Sequence, residues 1–307
     1  MSNSYQGSHL SSETITRDHE IIEKRLLKAR QLTPPSYVNA ITYHPEYFPI
    51  YDIAGTCLKE KGLIINWQAH LIGLRHKTTN VLLITEQGKL ITQQRAHDTI
   101  LFPSRYTVSA GGHLSQKTLN QSTEIDPLQT IVHETAEELN LKIDTSRFQP
   151  LGDAKIGIPN FLNVWIYRNQ EHGIVATISV FDEEATLIGI DVQKGHITPD
   201  KRNYLTKIIR EESKGNLPEE ELMANDIALF TRNIELCHFY TVVISSQEQQ
   251  KIHFVDKEVA GYKLVDVQEL IRAGKDLDTA TDSLYILFSD ESIIEQLERR
   301  TAQAKYK

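Results

Sequence analysis

The chain has 307 residues, 40% of them hydrophobic and 24% charged, with 41 Asp and Glu against 33 Lys and Arg and a formal net charge of -8. These are ordinary values for a globular protein with room for a full hydrophobic core. The acidic balance argues against a general nucleic-acid or anionic-membrane binder, which carries a basic excess.

The opening residues, Met1 to Ser12, are polar and lack the apolar core of a signal peptide, and no stretch approaches the ~20 apolar residues of a membrane helix. The expectation is a cytoplasmic protein with no membrane partner. The 2 cysteines, Cys57 and Cys237, stand far apart and form no metal-ligand spacing; free thiols in a reducing compartment are expected.

Four parts follow one another along the chain. Residues 1–45 form a Ser-rich tail and a helical arm, with Ile21, Ile22, Leu26, Leu27 and Ala29 giving a helical stripe over 14–31 before Pro34 and Pro35 stop it. The arm suits docking on its own core or on a second copy in a homodimer, and both remain open. Residues 46–158 carry a strand over 79–84, a turn at 86–89, a second strand ending Gln93-Gln94-Arg95, a Gly111-Gly112-His113 turn and a helix after Pro127.

Residues 159–232 alternate strand-like pieces (161–167, 174–181, 188–192) with helical ones (199–212, 219–224). The stretch is too patterned for a linker, and suits either a lid over a substrate or a dimerisation module. Its Lys201, Arg202, Lys207 and Arg210 either face phosphates or are solvated helix charges. Residues 233–307 return to the core and end in helical segments with a polar tail.

The chemistry concentrates in His133-Glu134-Thr135-Ala136-Glu137-Glu138-Leu139-Asn140-Leu141. At about 100° per residue, Glu134, Glu137 and Glu138 cluster within one helical turn. Like charges at that spacing repel, and a hard divalent cation, which takes oxygen ligands, offsets the repulsion. Leu128, Ile131, Val132, Thr135 and Leu139 form a separate apolar stripe. Asp126-Pro127 reads as an N-cap followed by proline at the first helical position, and Asn140 as the stop.

This stretch resembles the signature of the Nudix hydrolase family, Gly-x5-Glu-x7-Arg-Glu-U-x-Glu-Glu-x-Gly-U, where U is aliphatic. Gly112 opens it, Glu134, Glu137 and Glu138 fall on its three helical glutamates and Leu141 on its last aliphatic place. His133 stands for the Arg, Asn140 for the Gly, and the stretch before the helix is longer than the family spacing. Counting back from His133 puts Ile125 where the first glutamate belongs, with Glu124 beside it. The order of the flanking segments, from 67–76 through 108–113 to 233–240 and 258–270, is similar to the Nudix branch related to isopentenyl-diphosphate isomerase.

The resemblance implies an α/β fold, a Nudix-type α/β/α sandwich with a mixed β-sheet, carrying the N-terminal arm and the large α+β insertion. It implies a hydrolase that cleaves a small diphosphate compound, nucleoside-diphosphate-linked or related, by water attack at phosphorus, with Mg²⁺ or Mn²⁺ as cofactor. Glu134, Glu137, Glu138, His113 and Glu235 are the implied metal ligands. Glu137, Glu138 or Glu235 serves the catalytic base, and Arg95, Gly111 and Gly112 meet the substrate. In the isomerase-like branch a His after the Gly turn joins two upstream histidines at a metal; His70, His76, His113 and Glu235 would form such a nitrogen-rich site, suited to Zn²⁺ or Mn²⁺. That branch isomerises with a Cys where this chain has Gly111, and contacts diphosphate with a Lys where it has Thr99. An isoprenoid-diphosphate enzyme and a non-catalytic ligand-binding module are the alternatives.

Overall fold

The computed structural model describes residues 11–30, 46–97, 104–116, 125–152, 155–156, 162–167, 174–181, 186–192, 229–232, 235–254, 259–275, 279–288 and 290–306. Two parallel strands form its centre, β3 (His76–Thr85) and β13 (Glu235–Ile244), paired from Glu235↔His76 to Ile244↔Thr85. The run of Val, Leu and Ile in β3 is buried on both faces, as a central parallel strand must be.

Antiparallel strands extend this pair. On one side lie β4 (Leu90–Arg95), β5 (Tyr106–Thr107), β6 (Ala110–His113) and β14 (Val259–Val265). On the other lie β7 (Gln149–Pro150) and β8 (Lys155–Ile156). The sheet is therefore mixed, and the fold is α/β. Alternation along β3 divides the core. Leu82 and Ile84 pack with α5 (Val267–Gly274), α6 (Asp282–Phe288) and α7 (Glu291–Ala304), through residues such as Leu270, Leu287 and Leu297. Val81 and Leu83 pack on the opposite face with Ile131 and Leu139 of α3 (Pro127–Leu139). A short α4 (Ser246–Gln249) follows β13.

The helical arm, α1 (Ser12–Ala29), docks on its own chain. Its stripe of Ile22, Leu26 and Ala29 shares a buried cluster with Phe48 of β1 (Tyr47–Pro49), Ile64 of β2 (Leu63–Ile65), Ala69 of α2 (Asn66–Ile72) and Leu74. Each such side chain contributes about 1.5–3 kcal/mol by leaving water. The insertion strands β9 (Leu162–Tyr167), β10 (Ile174–Phe181), β11 (Thr186–Val192) and β12 (Leu229–Arg232) make a four-stranded antiparallel sheet of their own. The expected helical pieces at 199–212 and 219–224, with their four basic residues, lie outside the described residues, as do Thr99 and Glu124. Cys57 and Cys237 are free thiols. No helix among the described residues is long and apolar enough to cross a membrane.

Candidate functional site

Local chemistry sets the phase of α3. The Asp126 carboxylate accepts from the Leu128 N–H at 2.9 Å, Pro127 follows it, and Asn140 ends the helix in the left-handed region at φ 55°. With both ends fixed, Ile131, Thr135 and Leu139 are buried. Glu134 and Glu138 then lean onto the sheet. The Glu134 carboxyl lies so close over β6 that a Cβ on Gly112 would meet its Cδ and Oε1 at 2.5 Å. Glu138 Oε2 accepts from Gln93 Nε2 at 2.8 Å, and the same amide group donates to the Ser109 carbonyl at 2.6 Å. Arg95, two residues beyond Gln93 on β4, shares its face.

The third helical glutamate is placed differently. Glu137 is 60% exposed and pairs with the equally exposed His133, Nδ1 to Oε2 3.3 Å. His133, which stands where the resembled signature has Arg, therefore lies with Glu137 on the solvent side of the helix. Ile125, at the place of the displaced first glutamate, is half-buried just before the N-cap.

The expected Gly111-Gly112-His113 turn is a strand. Residues of β6 pair with β3 as Thr78↔His113, Thr79↔Gly112 and Asn80↔Gly111. Backbone pairing needs extended geometry, and the two glycines answer close approach on both faces. A Cβ on Gly111 would strike Asn80 Oδ1 at 2.5 Å, as one on Gly112 would strike Glu134. Because side chains alternate, Gly112 faces α3 whereas Gly111 and His113 face the other way.

On that other face four elements bring titratable groups together. His76 opens β3, Glu235 opens β13 as its register partner, His113 closes β6 and His70 lies in the last turn of α2. One ring nitrogen from each of His70, His76 and His113 lies within 4.8 Å of the others. Glu235 Oε1 stands 3.9 Å from both His76 Nε2 and His113 Nε2. Its second oxygen accepts from Thr78 Oγ1 at 3.1 Å, with the Cys237 thiol at 3.6 Å. The Phe48 ring stacks on His76 and His113 at 4.8 and 4.7 Å and meets His70 edge-on at 5.8 Å.

The protonation of His76 follows from its partners. Its Nδ1 lies 3.0 Å from the Leu74 carbonyl, which only accepts, so the proton sits on Nδ1 and Nε2 carries a lone pair. Burial first, then His113, lowers its pKa to about 4, partly opposed by Glu235 and the Leu74 carbonyl. The ring is neutral at pH 7. Nε2 of His76 and Nε2 of His113 are both buried without a hydrogen-bond partner, a costly arrangement unless another group occupies the point they share. Imidazoles and one carboxylate suit a divalent transition metal such as Zn²⁺ or Mn²⁺.

The five expected metal ligands therefore fall into two groups. Glu134 and Glu138 belong to the α3 face; His113 and Glu235 belong to the opposite one, with His70 and His76. Glu137 points to solvent. Sequence reasoning overlooked Gln93, Thr78 and Phe48, which ordinary strand composition does not single out. It also overlooked His238, whose Nε2 is buried without a partner on the α3 face, beside the equally orphaned Thr79 Oγ1. Burial, with Lys77 adding to it and Asp126 opposing, lowers the His238 pKa to about 4.

No protein-family model matches the chain, and no curated protein matches it. Among solved structures it is similar to DR0079 from Deinococcus radiodurans, with 14% identity and a TM-score of 0.40 over 78% of this chain and 97% of that one. A likeness of that level carries no functional inference.

Proposed function

We propose that this chain is a metal-dependent hydrolase of a small diphosphate compound, acting from the α3 face of the sheet. The observation that carries the reading is that the two helical carboxylates turned inward, Glu134 and Glu138, sit over Gly112 and Gln93 on the face that also bears Arg95. In this reading Glu134 and Glu138 hold Mg²⁺ or Mn²⁺. The cation would supply charge neutralisation at the phosphoryl oxygens and acidify nearby water. Gln93 orients Glu138 by donating to one of its oxygens. The Arg95 guanidinium binds a phosphate. Water oxygen bonds to one phosphorus, the bridging P–O bond breaks, and the proton passes to a carboxylate at the site before leaving with solvent. Glu137, at the exposed rim beside His133, is the carboxylate with freedom to take it.

A second reading is favoured by the histidine cluster. Three histidines with Glu235 match what the isomerase-like branch implies, so an isoprenoid diphosphate is a candidate substrate. Gly111 has no thiol with which to move a proton on an alkene, which favours hydrolysis of such a compound over its isomerisation.

The test is a screen of nucleotide sugars, dinucleoside polyphosphates, nucleoside triphosphates and isoprenoid diphosphates with Mg²⁺ and with Mn²⁺. Release of phosphate or a phosphorylated product is expected from one class, with loss on Glu138→Gln. Equal inactivity of wild type and Glu138→Gln on every class would leave a ligand-binding module without turnover.

A further inference from the structure

The segment joining two of the clustered histidines is short and hinged. His70 lies in the last turn of α2, Gly73 takes the left-handed conformation at φ 69° as its C-cap, and Leu74 and Arg75 lead directly into His76. Leu74 also supplies the carbonyl that fixes the His76 tautomer. A shift of this segment moves the His70 imidazole relative to His76, His113 and Glu235, which are held by the sheet.

The hinge is anchored from α1. Arg25 Nη1 donates to the Gly73 carbonyl at 2.6 Å. The Asp18 carboxylate takes two hydrogen bonds from the Arg75 guanidinium, at 3.1 and 3.3 Å, with the two side chains only 11% and 6% exposed. Asp18 also accepts from the Ile53 N–H at 2.7 Å, and Arg75 donates to the Tyr51 carbonyl at 3.2 Å. Asp18 thereby ties the hinge to the segment that follows Phe48. His19 approaches Asp52 in that segment at 3.4 Å, and Gln68 of α2 donates to the Ala29 carbonyl at 2.9 Å. The α1 stripe shares its buried cluster with Phe48, the ring against which the imidazoles pack. Two routes, one polar and one apolar, thus run from α1 to the histidines.

We propose that Asp18 and Arg75 are positioning residues for the histidine cluster, and that α1 is a strap fixing the hinge between His70 and His76 so that the cluster can hold a divalent transition metal. The proposal rests on the reading of His70, His76, His113 and Glu235 as a metal site. Neither the Asp18 nor the Arg75 side chain belongs to the cluster; they act through the backbone of Arg75, which is joined to His76, and through Tyr51 and Ile53. A buried two-pronged pair suits this task, because its geometry tolerates little displacement. Outer residues of this kind change metal affinity by roughly 10–100-fold when altered.

The experiment uses the full chain, stripped with chelator and titrated with Co²⁺ for its ligand-field spectrum, and with Zn²⁺ against a chromophoric competitor. Wild type is expected to bind one ion at the cluster and His113→Ala to lose it. Asp18→Asn should weaken Zn²⁺ about tenfold or more at unchanged stoichiometry and alter the Co²⁺ bands, and Asp18→Glu should recover part of the loss. Arg25→Gln, which frees the Gly73 carbonyl without leaving a buried charge, should weaken Zn²⁺ by a smaller factor and covers the case in which Asp18→Asn fails to fold. Thermal unfolding of the metal-free proteins is measured in parallel. If Asp18→Asn and Arg25→Gln lower the metal-free midpoint but keep Zn²⁺ affinity within twofold and the Co²⁺ spectrum unchanged, the strap is only structural and the proposal fails. If wild type and His113→Ala bind alike, the histidine site itself fails and the strap with it.

Discussion

The two faces of the central sheet carry polar clusters assembled in opposite ways. On one face Glu134 and Glu138 come from a single helix, and their spacing follows from helical periodicity and two local caps. On the other, His70, His76, His113 and Glu235 come from four elements, joined by strand register across more than 150 positions of sequence. The first cluster tolerates no change of helix phase, the second no change of pairing. The lesson is that a site written in one element can be read directly, whereas a site written in register exists only once the sheet has formed.

Variants separate the two clusters. Phe48→Ala should have the largest effect, a loss of about 3–5 kcal/mol of stability from the emptied ring site, read as a fall in the denaturation midpoint with looser Co²⁺ binding. Intact Co²⁺ binding in that variant would show that the imidazoles do not need the ring. Glu138→Gln should lower diphosphate turnover by roughly 10²–10³-fold, as for the loss of a main electrostatic contact, while leaving Zn²⁺ on the histidines. His113→Ala should do the converse, losing Zn²⁺ by more than the ~10–100-fold expected of an outer residue at unchanged fold. A parallel loss of both properties in either variant would break the idea of two independent faces.

Gly112→Ala is a finer probe. Its added methyl must displace the Glu134 carboxyl, 2.5 Å from the ideal Cβ position, so turnover should fall about tenfold, equivalent to roughly 1.4 kcal/mol, with the Co²⁺ spectrum unchanged. Unaltered kinetics would remove Glu134 from the reaction. The pH dependence of stability is a separate probe. His238 is neutral in the fold, with its pKa lowered to about 4 from 6.5. Between those values the unfolded chain binds the proton and the folded chain does not, so His238 makes stability fall as pH drops from about 6.5 towards 4. His238→Gln should flatten that part of the denaturation curve in chelator; the same slope in wild type and variant would place the effect on other groups.

The helix of the carboxylates was readable because caps, apolar stripe and charge cluster all lie within fifteen or so residues and agree with one another. Whereas β13 and β14 are marked by the family resemblance, the same local logic locates β3, β4 and the α1 stripe. It failed at Gly111-Gly112-His113, where two glycines suggest a turn but in fact admit Asn80 and Glu134 on either side of a strand. The ligand set implied by the resemblance groups His113 and Glu235 with the helical glutamates as well as with His70 and His76; which face of the sheet each side chain occupies follows from register.

Sequence by itself determined the α1 arm, the phase of α3 and the strands β3 and β4, since these depend on contacts a few residues apart. Only the tertiary structure decided that Glu134 and Glu138 turn inward while Glu137 does not, and that the arm docks on its own chain. It also gave the distances at which three histidines and Glu235 gather. The reason is the period of two along a strand: one residue of register moves every side chain to the opposite face, and register is set by pairings between segments that no local pattern can see.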